Sequence, residues 1–317
     1  MDAAELNLAG LNLSRLRERF AVEGVLAFER AASGLVFARV TSAAAEATIY
    51  LQGAHLAEWK PAGQEPVLFL SARSQYVPGK AIRGGVPVIF PWFGPRHDGK
   101  AGPQHGFART SVWELAFAAV AGDDVHLTFT LGPSEVSRAL GFDHFRVAYR
   151  MTIGKRLRLE MMVANDLDAA EGEGAALVFE EALHTYFAVS EVERVDLMGL
   201  GGTAYLDKQD GARRKMQAEG AVRLTEETDR VYVETTATCV VEDAGAGRRI
   251  VVEKSGSRAT VVWNPWAEAT AQMADMEPDG WRGMLCVESA NVGESAVTLR
   301  PGETHTMRAE IWVEAIS

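Results

Sequence analysis

Beyond its first two dozen residues the chain is organised by a period of two. In Val125-His126-Leu127-Thr128-Phe129-Thr130-Leu131 the odd positions are apolar and the even ones polar. Arg156-Leu157-Arg158-Leu159-Glu160-Met161 repeats the pattern, and so does Met307-Arg308-Ala309-Glu310-Ile311-Trp312-Val313-Glu314. Such alternation places one face of a strand in a core and the other in water. Turn-forming clusters break the runs at short intervals: Ala121-Gly122-Asp123-Asp124, Gly154-Lys155, Gly245-Ala246-Gly247, Ser255-Gly256-Ser257 and Pro301-Gly302-Glu303. Many strands joined by tight turns predict antiparallel sheets packed face to face. Helical periodicity is confined to Leu11 to Phe20, with Asn12 or Ser14 as cap, and is missing after residue 30. The expectation is an all-β fold with a short N-terminal helix.

No internal repeat or low-complexity linker divides the chain. Residues 1–24 read as a helical appendage and 25–317 as a single β domain. The acidic stretch Ala169-Ala170-Glu171-Gly172-Glu173-Gly174 reads as a surface loop, and Arg213-Arg214-Lys215 as a solvated one.

Bulk composition narrows the function classes. With 317 residues, 47% hydrophobic and 24% charged, the chain is an ordinary globular sequence able to bury a sizeable core. Its net charge of −11, from 32 basic against 43 acidic residues, argues against nucleic acid or an anionic membrane as partner. No apolar stretch approaches the roughly 20 residues that span a bilayer. Met1 to Phe20 lacks the apolar core and cleavage site of a secretory signal. Two cysteines, Cys239 and Cys286, are too few for a disulfide framework and read as reduced. A cytoplasmic monomer acting on a small molecule is expected. An anionic ligand would require a local basic site set against the overall charge.

Two neighbouring segments offer that site. Ile82-Arg83-Gly84-Gly85-Val86-Pro87 leads into Pro91-Trp92-Phe93-Gly94, and Gln104-His105-Gly106-Phe107-Ala108-Arg109 follows. A guanidinium is a planar fork of donors that matches phosphate oxygens, glycine lets backbone N–H groups come close, and Trp or Phe can lie against a sugar face. Arg83 and Arg109 adjoin glycines and aromatics rather than acidic residues; the alternative for each is an ordinary ion pair. Gln104 could be a ligand contact or a loop hydrogen bonder. Further along, His184 in Leu183-His184-Thr185-Tyr186-Phe187 is either a hydrogen-bonded core residue or a general acid, since an imidazole titrates near neutrality. Glu288, in Gly283-Met284-Leu285-Cys286-Val287-Glu288-Ser289, either faces solvent or is buried as a base. Trp263-Asn264-Pro265-Trp266 could be a sugar platform or a packed corner.

Other motifs carry less. Gly199-Leu200-Gly201-Gly202-Thr203-Ala204 imitates a dinucleotide fingerprint, but Tyr205-Leu206-Asp207-Lys208 follows in place of an amphipathic helix. Seven histidines show no close-spaced zinc pattern, so no metal is expected. Cys286 reads as a small hydrophobe rather than a nucleophile.

Taken in this order, the segments from Ile82 to Arg109, Leu183 to Phe187, Trp263 to Trp266 and Glu288 resemble the D-hexose-6-phosphate mutarotases (glucose-6-phosphate 1-epimerases) of the galactose mutarotase-like superfamily. The resemblance runs from about residue 25 to the end. It implies a large antiparallel two-sheet β-supersandwich with a sugar cleft, His184 as general acid, and Glu288 as general base. It also implies phosphate-side contacts from Arg83, Gln104 and Arg109, a sugar contact from His105, and a hydroxyl contact from Asp207. The implied reaction opens and recloses a hexose 6-phosphate ring without a cofactor. The chain departs from the family pattern after the base, where Ser289-Ala290-Asn291-Val292 stands in place of a Pro-Gly or similar pair. Two other readings of the same residues are a phosphosugar- or carbohydrate-binding module without turnover and an epimerase of unphosphorylated aldoses. Glycoside hydrolysis would want two cooperating carboxylates.

Overall fold

The computed structural model describes residues 12–167 and 176–316. The acidic loop expected at 169–174 and the first eleven residues lie outside them. Every strand pairing among the described residues is antiparallel. The two expected sheets are present as two eight-stranded sheets, accompanied by a four-stranded sheet and a two-stranded one.

The first large sheet is a run of long amphipathic hairpins. Glu114–Ala121, Asp124–Leu131, Phe145–Ile153, Leu157–Asn165 and Thr304–Ala315 lie side by side. In Asp124–Leu131 and Leu157–Asn165 burial alternates residue by residue, as the period of two requires. The second large sheet is ordered Arg213–Met216, Ala204–Asp207, Thr228–Tyr232, Ala259–Asn264, Met284–Asn291, Glu181–Leu183 and Val88–Ile89, with Tyr186–Ala188 also paired to Met284–Asn291. Its central strand, Met284–Asn291, is buried at all eight positions. Both faces of that strand are covered, so the alternation is lost there. Ser289-Ala290-Asn291 continue the strand rather than turning out of it.

The four-stranded sheet of Leu26–Arg30, Val36–Thr41, Ala45–Tyr50 and His55–Pro61 is tied to both large sheets. Val86 N–H donates to Leu56 O at 2.8 Å, and the Trp59 indole donates to Gly154 O at 3.1 Å. One contiguous cluster of buried apolar side chains runs from Leu26 through Trp59, Phe90, Tyr149 and Val287 to Ile311. Each fully buried Phe, Leu or Val of such a cluster contributes about 1.5–3 kcal/mol.

The N-terminal helix spans Leu13–Phe20, and the Asn12 side chain accepts from Arg15 N–H to cap it. Two five-residue helices, Glu135–Ala139 and Trp266–Thr270, have no counterpart in the sequence reading. Arg213-Arg214-Lys215 is exposed as expected but forms an edge strand, Arg213–Met216, and not a loop. A row of charges on the outermost strand discourages pairing with another chain.

Candidate active site

A cleft of about 380 Å³ opens over the second large sheet. Asp229, Val261, Trp263 and Glu288 line it from three adjacent strands. Asp229 pairs with Trp263 and Val261 with Glu288 across the ladder, so all four share one face. The loops that bear Arg83, Phe93, Gln104, His105 and Arg109 close the opposite side. Two wider depressions, of about 490 and 580 Å³, lie elsewhere. Several of their charged groups are paired, as in Arg150–Glu160 and Arg308–Glu160, or Arg39–Glu29.

His184 follows the short strand Glu181–Leu183, and its backbone N–H donates to Pro87 O at 3.0 Å. The ring stacks on Tyr186 with centroids 4.8 Å apart and planes 9° from parallel, and Trp263 meets it edge-on. Its Nδ1 lies 3.2 Å from Glu288 Oε1. Glu288 is 1% exposed, and neither carboxyl oxygen nor His184 Nδ1 makes a hydrogen bond of good geometry. The solvent-facing alternative for Glu288 is therefore removed. Burial, reinforced by Asp229, pushes the Glu288 carboxyl well above its ordinary range. Burial, together with His105, Arg109 and Arg83, holds the His184 imidazole well below its own.

Arg83 reaches the cleft through a tight approach of backbones. Gly85 has φ +63°, and a Cβ there would sit 2.3 Å from Leu56 O and 2.8 Å from the Ala57 Cα. Only glycine lets the chain pass this close while adopting a left-handed conformation. The guanidinium of Arg83 donates through Nε to Asp275 at 3.2 Å and through Nη1 to the Tyr186 hydroxyl at 3.0 Å. Burial works against its charge, but Tyr186 and Asp275 more than offset this and hold it above its ordinary range.

Arg109 differs. Its Nη2 donates to Gln104 O at 2.7 Å, while its Nε is buried without a hydrogen-bond partner. Burial pulls its pKa down to about 10, so the group stays charged at neutral pH. Arg109 is thus a half-buried cation with a buried, unpartnered Nε, and such a group favours an anion beside it.

Between the arginines, His105 takes a positive φ of 63° beside Gly106, where a Cβ would lie 2.1 Å from Phe90 O. His105 N–H donates to Gly94 O at 2.7 Å, and Gly94 N–H donates back to His105 Nδ1 at 3.2 Å. Burial and the charges of Arg109, Lys208 and Arg83 lower its pKa to about 3. The neutral ring accepts at Nδ1, which leaves the proton on Nε2 to donate.

Of the seven residues expected at the site, His184, Glu288, Arg83, Gln104, His105 and Arg109 line this one cleft. Asp207 does not. Its carboxylate accepts from Lys215 Nζ at 2.8 Å and from Gln209 N–H at 3.1 Å, which commits it to its own hairpin. Asp229, on the adjoining strand, lines the cleft instead, with Lys208 Nζ 3.7 Å away. Lys208, Met273 and Asp275 also escaped the sequence reading, because no local motif marks them and only the fold brings them near. Trp263-Asn264-Pro265-Trp266 forms the packed corner that is one of its two readings, and it also borders the cleft. Trp263 lines the cleft, while buried Asn264 binds the Trp281 and Met284 carbonyls and receives Trp266 N–H.

The aldose 1-epimerase family pattern matches residues 38–312, nearly the whole described chain. The chain belongs to the aldose 1-epimerase family. It is accordingly an isomerase. A protein of Escherichia coli, provisionally named a glucose-6-phosphate 1-epimerase, is 35% identical over 260 residues, covering 82% of this chain and 84% of the relative. One of Salmonella typhimurium with the same provisional name is 37% identical over 244 residues, covering 77% and 79%. A crystal structure from Salmonella typhimurium, provisionally described as a mutarotase, superposes with a TM-score of 0.85 at 32% identity, covering 93% of this chain and 96% of the other. A galactose mutarotase-like protein of Clostridium acetobutylicum superposes with a TM-score of 0.68 at 17% identity, covering 92% and 98%, and shares the fold. Among the described residues no helix is long and apolar enough to cross a membrane.

Proposed function

We propose that this family member interconverts the α and β anomers of hexose 6-phosphates, with residues 25–317 acting as one catalytic unit. The reading agrees with the names of its relatives. The observation that carries it is the buried contact of 3.2 Å between His184 and Glu288 on the floor of a cleft that also holds Arg83 and Arg109. Glu288 takes the proton from the C1 hydroxyl while His184 protonates the ring oxygen. The C1–O5 bond breaks, the aldehyde rotates about C1–C2, and closure on the other face reverses both transfers. His105 Nε2–H and the Asp229–Lys208 pair are placed to hold sugar hydroxyls, and Trp263 offers an apolar face.

The phosphate has a second task. Arg109 and Arg83 both disfavour an imidazolium at His184. A dianion bound between them cancels that repulsion, so substrate binding itself promotes the state in which Glu288 is ionised and His184 protonated. A ligand module would have no need of such a pair, and an epimerase of neutral aldoses would leave the unpartnered Arg109 Nε unexplained.

Saturation-transfer NMR on equilibrated glucose 6-phosphate tests the acid/base assignment. Each positioned proton transfer contributes roughly 10²–10⁴-fold. Glu288→Gln and His184→Asn should each lose exchange on that scale, with folding intact by circular dichroism. Exchange at the unmodified rate in either variant would remove that residue from the mechanism.

A further inference from the structure

Cys286 is the one thiol in contact range of the acid/base pair. It precedes Glu288 by two residues on the same strand, so both side chains leave the same face of the sheet. One ring nitrogen of His184, Cys286 Sγ and a Glu288 oxygen all lie within 4.8 Å of one another, and all three residues are buried. Three of the candidate donor atoms, His184 Nδ1 and both Glu288 oxygens, lack hydrogen-bond partners. A buried carboxyl without a donor is unsatisfied, and an ion held there would satisfy it. The separation of 3.2 Å between Nδ1 and Oε1 is close to the edge of a zinc tetrahedron built from bonds of about 2.0–2.1 Å.

We propose that His184, Cys286 and Glu288 form an inhibitory site for a thiophilic divalent cation such as Zn²⁺, with a fourth position open to the cleft. The donor set decides the class of ion. One imidazole, one thiolate and one carboxylate select Zn²⁺ or Co²⁺ over Mg²⁺ or Ca²⁺, which prefer all-oxygen shells. Charge is compatible with burial: a dication with one thiolate, one carboxylate and a neutral imidazole is electroneutral. Burial opposes ionisation of both Glu288 and Cys286, as does Asp229, and Glu288 itself opposes a thiolate at Cys286, while Arg109 and Lys208 at Glu288 and Arg83 at Cys286 favour the ionised forms. These cations repel a bare ion but favour the anionic ligands that hold it.

On binding, Cys286 Sγ–H and the Glu288 carboxyl release their protons to solvent and no redox change occurs. Affinity therefore rises with pH. Because the ion takes the lone pairs that would move the substrate's protons, metal and sugar exclude one another. That consequence rests on the acid/base reading above; the site itself does not. Chain-order patterns miss it because its histidine follows one strand while its Cys-x-Glu pair lies on another.

The test uses Co²⁺ as a spectroscopic probe on the metal-free full chain. One equivalent should give a near-ultraviolet thiolate-to-cobalt band and tetrahedral visible bands, both abolished by Zn²⁺. Cys286→Ser should lose the near-ultraviolet band and weaken Zn²⁺ binding at least tenfold, while Cys239→Ser retains both. In the exchange assay Zn²⁺ should raise the apparent KM of the wild type, and Cys286→Ser should keep exchange while losing that sensitivity. A cobalt spectrum without the sulfur band, or Zn²⁺ inhibition unchanged in Cys286→Ser, would overturn the proposal. The cobalt spectrum reads the site even if no exchange is found, so failure of the catalytic reading is distinguished from failure of this one.

Discussion

Glu288 and His184 meet out of water, and burial moves their proton affinities in opposite directions: the carboxyl up, the imidazole down. Both shifts favour the neutral group, so the pair holds one proton, on the carboxyl, over a broad middle range of pH. A second proton must charge a buried site, so it is added only below the ordinary imidazole value of about 6.5. Loss of the single proton leaves a buried carboxylate beside a neutral ring, so it is resisted until well above the ordinary carboxylate value of about 4.3. A plot of kcat/KM against pH should therefore be a broad bell with its acid limb below 6.5. A single rising limb centred on an ordinary imidazole would show that His184 titrates independently. Cys286 illustrates how little of this could be read locally. In sequence it is a small apolar residue of a buried strand, and its neighbours in space come from elsewhere.

At the scale of elements, the site depends on how closely its loops can press on the sheets. Gly85 sits against the backbone at Leu56 and Ala57, and neither can yield as a flexible side chain would. A positive φ on a non-glycine residue costs about 1–3 kcal/mol even without a clash. Gly85→Ala should therefore lower Tm and, by displacing Arg83, raise KM for a phosphorylated sugar more than it lowers kcat; unchanged Tm and KM would contradict this. The elements themselves were legible to differing extents. Amphipathic hairpins such as Asp124–Leu131 with Phe145–Ile153 announce themselves by alternation and turn residues. The helices Glu135–Ala139 and Trp266–Thr270 are too short to show a helical period. Arg213–Met216 has no apolar face because it lies at a sheet edge, so its charges hide a strand. Asp207 and Asp229 lie on adjoining strands, and nothing local says which one turns to the cleft.

For the whole molecule, sheet order converts distant segments into one site. The loops around Arg83 and Arg109 face strands that carry Asp229, Trp263 and Glu288, and His184 arrives between them. Residue types, motif order and the family resemblance they carry were enough to expect His184, Glu288, Arg83, Gln104, His105 and Arg109 in one place; the convergence itself required the fold. The central claim is that the two guanidinium groups bind a phosphate at one end of the cleft while the acid/base pair works on C1 at the other. A hydrogen bond to a charged group is worth about 1.5–3 kcal/mol, so two arginines amount to roughly 3–6 kcal/mol, or about 10²–10⁴-fold in kcat/KM. The direct measurement is anomer exchange by saturation-transfer NMR with glucose 6-phosphate and glucose side by side, in the wild type and in Arg109→Ala. The account predicts a preference of at least about a hundredfold for the phosphorylated sugar, largely lost in the variant through KM. Equal exchange of the two sugars by the wild type would contradict it.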